Sequence, residues 1–214
     1  MPENPDTPRL ILASRSPRRT LLLREAGYRF QQADPPFEDP PQPQPDARHP
    51  ATTIAADLAR QKASSLAEHV TGPALVLAAD TICVGAHGRL LGQPATADEA
   101  RQMIQGFLRD EHEVVTGVAL LELKNAKAGE PDCFADVARV RFGPLSEQAL
   151  ADYLATDHWR GKAGGYNLAD RQLAGWPIDV VGDPATVMGL PMRQLRPRLA
   201  RHGVRSVQHP ATDV

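Results

Sequence analysis

The stretch LILASRSPRRTLLL, Leu10 to Leu23, runs four apolar residues into Ser14-Arg15-Ser16-Pro17, adds Arg18 and Arg19, and turns aliphatic again at Leu21. Arg9 to Ala13 reads as a short buried strand, and Pro17 to Ala26 as a helix with leucines at helical spacing, closed by Gly27. Proline at the first helical position loses nothing by lacking an N–H. With serines before it, the turn presents backbone N–H groups and hydroxyls at a helix N-terminus, where anions bind. Arg15, Arg18 and Arg19 crowd the same end, and cations there oppose the helix macrodipole unless an anion neutralises them. A phosphate chain suits the arrangement. A serine-capped surface helix with its arginines in water is the other reading the stretch allows.

Outward from that stretch, Tyr28 to Gln32 reads as the next strand. Asp34 to Pro50 is too rich in proline for helix or central strand and reads as a long extended loop, tied down near Phe37 and Glu38. Thr52 to Glu68 repeats alanine and leucine with helical period, and Ala74 to Ala79 reads as a buried strand ending at Asp80. After a turn at Ala86 to Gly88, Asp98 to Leu108 is an amphipathic helix with Thr96 as its N-cap. His112 is expected to end a loop. Glu113 to Leu123 and Cys133 to Phe142 read as strands joined by a charged loop around Gly129, and Ser146 to Ala155 as a helix with Glu147 in its first turn. A glycine-rich segment, Arg160 to Trp176, precedes Val187 to Met192 and a last helix reaching about Leu199. The pattern is α/β with mixed strand directions. Residues 1–8 read as a disordered N-terminal segment, 9–201 as one domain, and 202–214 as a flexible tail.

The 214 residues carry a net charge of −2, with 42% hydrophobic and 23% charged residues, enough for one good core. A balance so near neutral gives no global field for nucleic acid or an anionic membrane, so anion recognition must be local. Cys83 and Cys133 lie in apolar stretches without metal-ligand spacing and read as reduced thiols of a cytoplasmic protein. No signal-peptide layout and no apolar run near the ~20 residues of a membrane span are present. The seven histidines are scattered, which speaks against zinc.

Three more positions bear on chemistry. Asp80 follows ALVLAA, at the strand end where α/β proteins place catalytic and metal-binding carboxylates, although a turn aspartate would look the same. Lys62 stands in LARQKA on a helix, where a lone lysine is usually solvated. Lys162 stands in GKAGGY, whose glycines let backbone approach a ligand and leave the ammonium as a point charge for phosphate; a flexible loop with an exposed lysine is the alternative. The segment lacks the spacing of a P-loop. Glu38 and Asp80, if they met, would suit Mg²⁺ shared with substrate phosphates.

Taken in order, LASRSPRRTLL, LARQKA, AADTICV, HEVVTGVAL, GKAGGY and GLP resemble the signatures of the Maf family of nucleotide pyrophosphatases, over nearly the whole chain from Leu10 to about Leu195. The resemblance implies a single elongated Maf-like (ITPase-like) α/β domain, with a mixed, twisted sheet flanked by helices and a cleft between two lobes. It implies hydrolysis of a nucleoside triphosphate between its α- and β-phosphates with a divalent cation, Mg²⁺, Mn²⁺ or Co²⁺. Asp80 matches the family's catalytic aspartate and metal ligand. Glu38 matches its acidic site position and Lys62 its basic one. Ser14, Arg18, Arg19, Lys62 and Lys162 would hold the triphosphate. Arg18 and Thr81 match positions that separate the subfamily acting on dTTP and UTP from the one acting on 7-methyl-GTP, and both favour the former.

Two departures stand out. The family's GKP is here GQP, with Gln93 in place of a lysine, and Gly-Ile-Gln after GGY is here Asn167-Leu168-Ala169. The specificity glutamine is missing unless Asp170 or Gln172 takes its place. The partner implied is a nucleoside triphosphate, with no nucleic acid and no membrane; the family often forms homodimers, and no interface is legible here. The rival readings are a nucleotide-binding regulator of cell division or septum formation with weak catalysis, and a pyrophosphatase for 7-methyl-GTP or a broader set of modified nucleotides.

Overall fold

The computed structural model describes residues 8–40, 45–46, 49–124 and 127–207. The expected strand at the start of the chain is β1 (Arg9–Ala13), whose Leu10, Ile11, Leu12 and Ala13 are all buried. Both faces are apolar because both are covered, the usual condition of a parallel strand. β1 pairs in parallel with β2 (Gln31–Ala33) on one side and β3 (Ala74–Val84) on the other. α1 (Pro17–Glu25) connects β1 to β2, and α2 (Ala51–Ala67) connects β2 to β3. Past β3 the ladder turns antiparallel through β5 (His112–Lys124), β7 (Asp132–Phe142) and β8 (Ile178–Val181), giving the order β2-β1-β3-β5-β7-β8. Two-residue strands, β4 (Leu90–Leu91) and β6 (Lys127–Ala128), pair with β3 and β5 respectively. This is the mixed α/β single domain expected from the strand and helix pattern.

α3 (Ala97–Phe107) starts where expected, with the Thr96 hydroxyl accepting from Glu99 N–H at 3.1 Å, and α4 (Glu147–Ala155) starts on the same device at Ser146. α5 (Leu168–Leu173), α6 (Pro184–Val187) and α7 (Met192–Arg201) complete the chain. Parts of the expected loops and ends, residues 1–7, 41–44, 47–48, 125–126 and 208–214, lie outside the described residues. Packing continues past Arg201: Val204 is buried against Leu199 and Leu23, and Val207 N–H donates to Gly27 carbonyl at 2.9 Å.

Side chains alternate between the two faces of the sheet. On one face Ile11, Val76, Ala78, Ala119 and Leu121 pack on the alanine-rich side of α2. On the other, two cores lie in series: Leu12, Leu75, Leu77 and Leu120 with α1 and α7, then Cys83, Val114, Val140 and Phe142 with α3, α4 and α5. α2 sits unusually close to β5 at Gly117, where a Cβ would fall 2.1 Å from the Ala55 carbonyl carbon. Gly117 is directly opposite Asp80 in the register.

Two expectations are corrected here. β3 does not end at Asp80 but runs on to Val84, because β5 pairs with it along its whole length. His112 ends no loop; it opens β5, 1% exposed, stacked on Phe107 at a ring distance of 3.7 Å and bonded through Nε2 to the Tyr166 hydroxyl at 2.8 Å. The loop reading failed because an imidazole surrounded by rings in the tertiary structure looks, in one dimension, like a polar residue between two elements.

Two expectations for stability follow from this packing. Gly117→Val drives a side chain into the Ala55 backbone, which cannot yield, so urea unfolding should show a loss of about 3 kcal/mol or more. A loss below 1 kcal/mol would mean α2 is free to slide. Burial depresses the His112 pKa to about 3, so the unfolded chain takes up a proton near pH 6.5 that the folded one refuses. Its contribution is fully present above pH 6.5 and is lost as the pH falls toward 3, at up to about 1.4 kcal/mol per pH unit. The stability of His112→Phe should therefore fall less steeply than wild type between pH 6.5 and 4; equal slopes would dismiss His112 as a source of acid sensitivity.

Candidate active site

β1 stops at Ala13, opposite Ala78, and β4 begins only opposite Cys83. Between them Ala79 to Ile82 of β3 have no strand on that side among the described residues. Successive residues of a strand point to opposite faces, so Asp80 faces α2 and Thr81 faces the seam between the two cores in series. Because the sheet has an open edge here, both reach one cavity of about 610 Å³. That volume lies within the range of small-ligand pockets.

The polar end of the cavity is built from α1, α2 and β3. Arg18, Arg19 and Lys62 supply three cations against the two carboxylates of Asp39 and Asp80. α1 carries no acidic residue in its first turn, and no side chain caps it at Ser16, so its N-terminus adds positive potential to the surplus cation. Lys62 Nζ lies 2.5 Å from Asp80 Oδ1 and 2.7 Å from Asp39 Oδ1, with the Phe37 ring 5.8 Å away. Arg19 is held by three acceptors: Gly189 carbonyl at 3.0 Å, Ser14 Oγ at 3.1 Å and Thr81 Oγ1 at 3.2 Å. Burial lowers its pKa to about 10 despite nearby Asp80, which leaves it charged at neutral pH. Arg18 is lowered by burial too, an effect the Asp170 carboxylate opposes. Gly189, at φ 102°, is the glycine of GLP; a Cβ there would come within 3.1 Å of Arg19 Nε and 3.2 Å of Thr81 Oγ1. The rest of the lining is largely apolar, with Leu90, Leu91, Val114, Tyr166, Leu168 and Val187.

Of the residues singled out from the sequence, Arg18, Arg19, Lys62, Asp80 and Thr81 line this one cavity. Ser14 stands behind Arg19, its hydroxyl accepting from that guanidinium and from Ser16 N–H. Lys162 turns its ammonium to the His158 carbonyl, and its neighbours Gly161 and Ala163, not Lys162 itself, form the wall. Arg15 points outward, 83% exposed, to Asp34. Glu38 is exposed and off the wall, and the acidic partner of Lys62 is the next residue, Asp39. Adjacent acids in an irregular, proline-rich loop follow no period, so nothing in the sequence says which one turns inward.

Gln93 lines the cavity, and so does Asn167, whose Oδ1 accepts from Ala169 N–H at 3.1 Å. Ala169 is exposed, and Gln172 spends its amide on the Ile178 carbonyl. Sequence reasoning missed Asp39, Asn167 and the cavity face of Tyr166. The GGY motif was the available signal for Tyr166.

Comparison with known proteins agrees with this architecture. A protein named dTTP/UTP pyrophosphatase from Halalkalibacterium halodurans is 37% identical over 195 residues, covering 91% of this chain and 96% of that one. Proteins of the same name from Brucella abortus and Rhodopirellula baltica are 38% and 36% identical, covering 91% and 90% of this chain and 92% and 81% of their own. A solved structure of a HAM1 protein from Coxiella burnetii superposes with a TM-score of 0.51 at 16% identity, over 91% of this chain and all of that one, a likeness of fold alone. The family model described as Maf-like protein matches residues 9–202, and with that match the chain belongs to the Maf family.

Proposed function

We propose that this protein is a nucleoside triphosphate pyrophosphatase that cleaves dTTP- and UTP-like nucleotides between the α- and β-phosphates, giving the monophosphate and pyrophosphate. The observation that carries the reading is the convergence of Arg18, Arg19 and Lys62 with Asp80 on one wall of a nucleotide-sized cavity. The names of the relatives supply the nucleotides. They also favour the enzyme over a regulator that only binds.

In this reading the triphosphate enters the polar end, held by the α1 N-terminus and by the guanidinium groups of Arg18 and Arg19, and the base faces the apolar lining around Tyr166. Partial burial strengthens these contacts, since the effective dielectric is lower than in water. Asp80 orients the attacking water and takes its proton. Lys62 holds the Asp80 carboxylate in place and neutralises part of its charge, so that a carboxylate can sit beside an incoming polyanion. Gln93, on the cavity lining, would offer an uncharged amide where the GKP motif of the resemblance would offer a lysine's charge.

The donor set fits a divalent cation. Asp39 and Asp80 converge on one ammonium, and Mg²⁺ is characteristically held by one or two carboxylates plus substrate phosphates and water rather than by an all-protein cage. When bound, the cation would neutralise charge developing on the phosphates. We place the protein in the cytoplasm on the free state of Cys83 and Cys133, which suits a reducing compartment. No helix among the described residues is long and apolar enough to cross a membrane.

Purified protein with Mg²⁺ or Mn²⁺ should release pyrophosphate from dTTP and UTP faster than from CTP, GTP or 7-methyl-GTP, and Asp80→Asn should remove that release while the protein still folds, as a cooperative unfolding transition would show. Turnover that survives in Asp80→Asn would remove Asp80 from the chemistry. Replacing Arg18 with alanine deletes a charge-assisted contact worth roughly 1.5–3 kcal/mol, so kcat/KM should drop about 10- to 150-fold. An unchanged kcat/KM would put Arg18 outside the substrate's reach.

A further inference from the structure

The seam between the two cores in series is closed by polar groups, not apolar ones. Thr116 on β5 is wholly buried and directly opposite Thr81 on β3. Its Oγ1 lies 2.9 Å from Thr81 Oγ1 and 2.8 Å from the carbonyl oxygen of Thr186, itself wholly buried at α6. Thr186 Oγ1 donates to Asp136 Oδ2 at 2.5 Å, and Gln194 of α7 donates to the other oxygen of that carboxylate at 2.6 Å. Hydrogen bonds therefore run from Arg19, on the cavity wall, through Thr81 and Thr116 to the Thr186 backbone, and the Thr186 side chain is in turn tied through Asp136 to α7.

A hydroxyl has one proton. A carbonyl only accepts, so Thr116 must spend its proton on Thr186, and in the pair of threonines Thr81 must be the donor. Thr81 then has no proton left for the cavity. It meets Arg19 Nη2, at 3.2 Å, as an acceptor with its lone pairs fixed in direction. Had Thr81 been free to rotate, its proton could have pointed at the guanidinium and repelled it.

We propose that Thr116 is a positioning residue: by fixing the proton of Thr81 it turns that hydroxyl into a dedicated acceptor, which aims the Arg19 guanidinium into the site. Gly189 completes the cradle, since its carbonyl takes Arg19 Nε and its missing side chain leaves room for the fork. The effect on turnover rests on the reading of the cavity as a triphosphate site; the effect on Arg19 does not.

The test is a comparison of wild type, Thr116→Ser and Thr116→Val, read in two ways. Nitrogen-detected NMR of the arginine side chains, which needs no substrate, should show the Arg19 guanidinium with slowed rotation in wild type and Thr116→Ser and averaged in Thr116→Val. Steady-state turnover of dTTP should fall about tenfold in kcat/KM for Thr116→Val, stay within about twofold for Thr116→Ser, and show little added loss when Thr116→Val is combined with Arg19→Lys. If Thr116→Val does not fold, Thr81→Val cuts the same chain one bond nearer the cavity and should free Arg19 in the same way. A folded Thr116→Val or Thr81→Val whose Arg19 remains slowed, or a Thr116→Val loss that adds in full to that of Arg19→Lys, overturns the proposal. Absence of turnover in the wild type, with Arg19 slowed and then freed as described, overturns the proposed activity and supports the positioning role.

Discussion

β3 is eleven residues long and its parallel neighbour β1 only five, and most of what the molecule can do depends on that mismatch. Strand backbone left without a neighbour must be satisfied by something else, and in an open sheet the crevice outside the carboxyl end of a parallel strand is where ligands bind. The chain leaves β1 at that level and enters α1, which brings the helix N-terminus and its arginines to the exposed stretch of β3. The antiparallel pairing with β5 keeps the rest of β3 straight and rigid behind the site, so Asp80 and Thr81 stand on a scaffold and not on a loop.

The same mismatch explains why an acid and a hydroxyl adjacent in sequence serve one cavity from opposite faces. Asp80 needs α2 near enough for Lys62 to reach it, and that closeness is set by the absent side chain of Gly117, its cross-strand partner. Thr81 needs the polar seam, which exists because the two cores on its face do not merge. Placing the site where apolar packing is interrupted costs core area, and the threonines and Asp136 recover part of it by satisfying one another.

Electrostatically the site holds one cation more than it has carboxylates, and its cations are not equally compensated. Lys62 is clamped between two carboxylates and Arg19 among three neutral oxygens, so neither is a bare buried charge. Arg18 is different: burial works against its ionised form, and the charge that opposes this is Asp170, exposed on α5. Of the three cations it has most to gain from an anion, and it stands at the mouth of the α1 N-terminus, where an anion is already favoured.

The sequence by itself determined the elements and most of the charged wall. Apolar runs and helical period located β1, α1, α2, β5 and β7 within about a residue but ended β3 four residues early and did not reveal β8, and Ser-Pro-Arg-Arg after a buried strand pointed to a candidate anion site, because those signals are local and need only the chain's own geometry. Arg18, Arg19, Lys62, Asp80 and Thr81 were all legible as candidates. Only the tertiary structure decided that they share a cavity, that Asp39 and not Glu38 faces Lys62, that Lys162 turns back on its own loop, and that His112 is a core ring. The first and the last of those outcomes are settled by which elements lie beside which and where a strand stops. For the shared cavity and His112 that is a matter of contacts between residues dozens of positions apart, and for Asp39 and Lys162 of irregular loop geometry; on neither does a sequence period carry information.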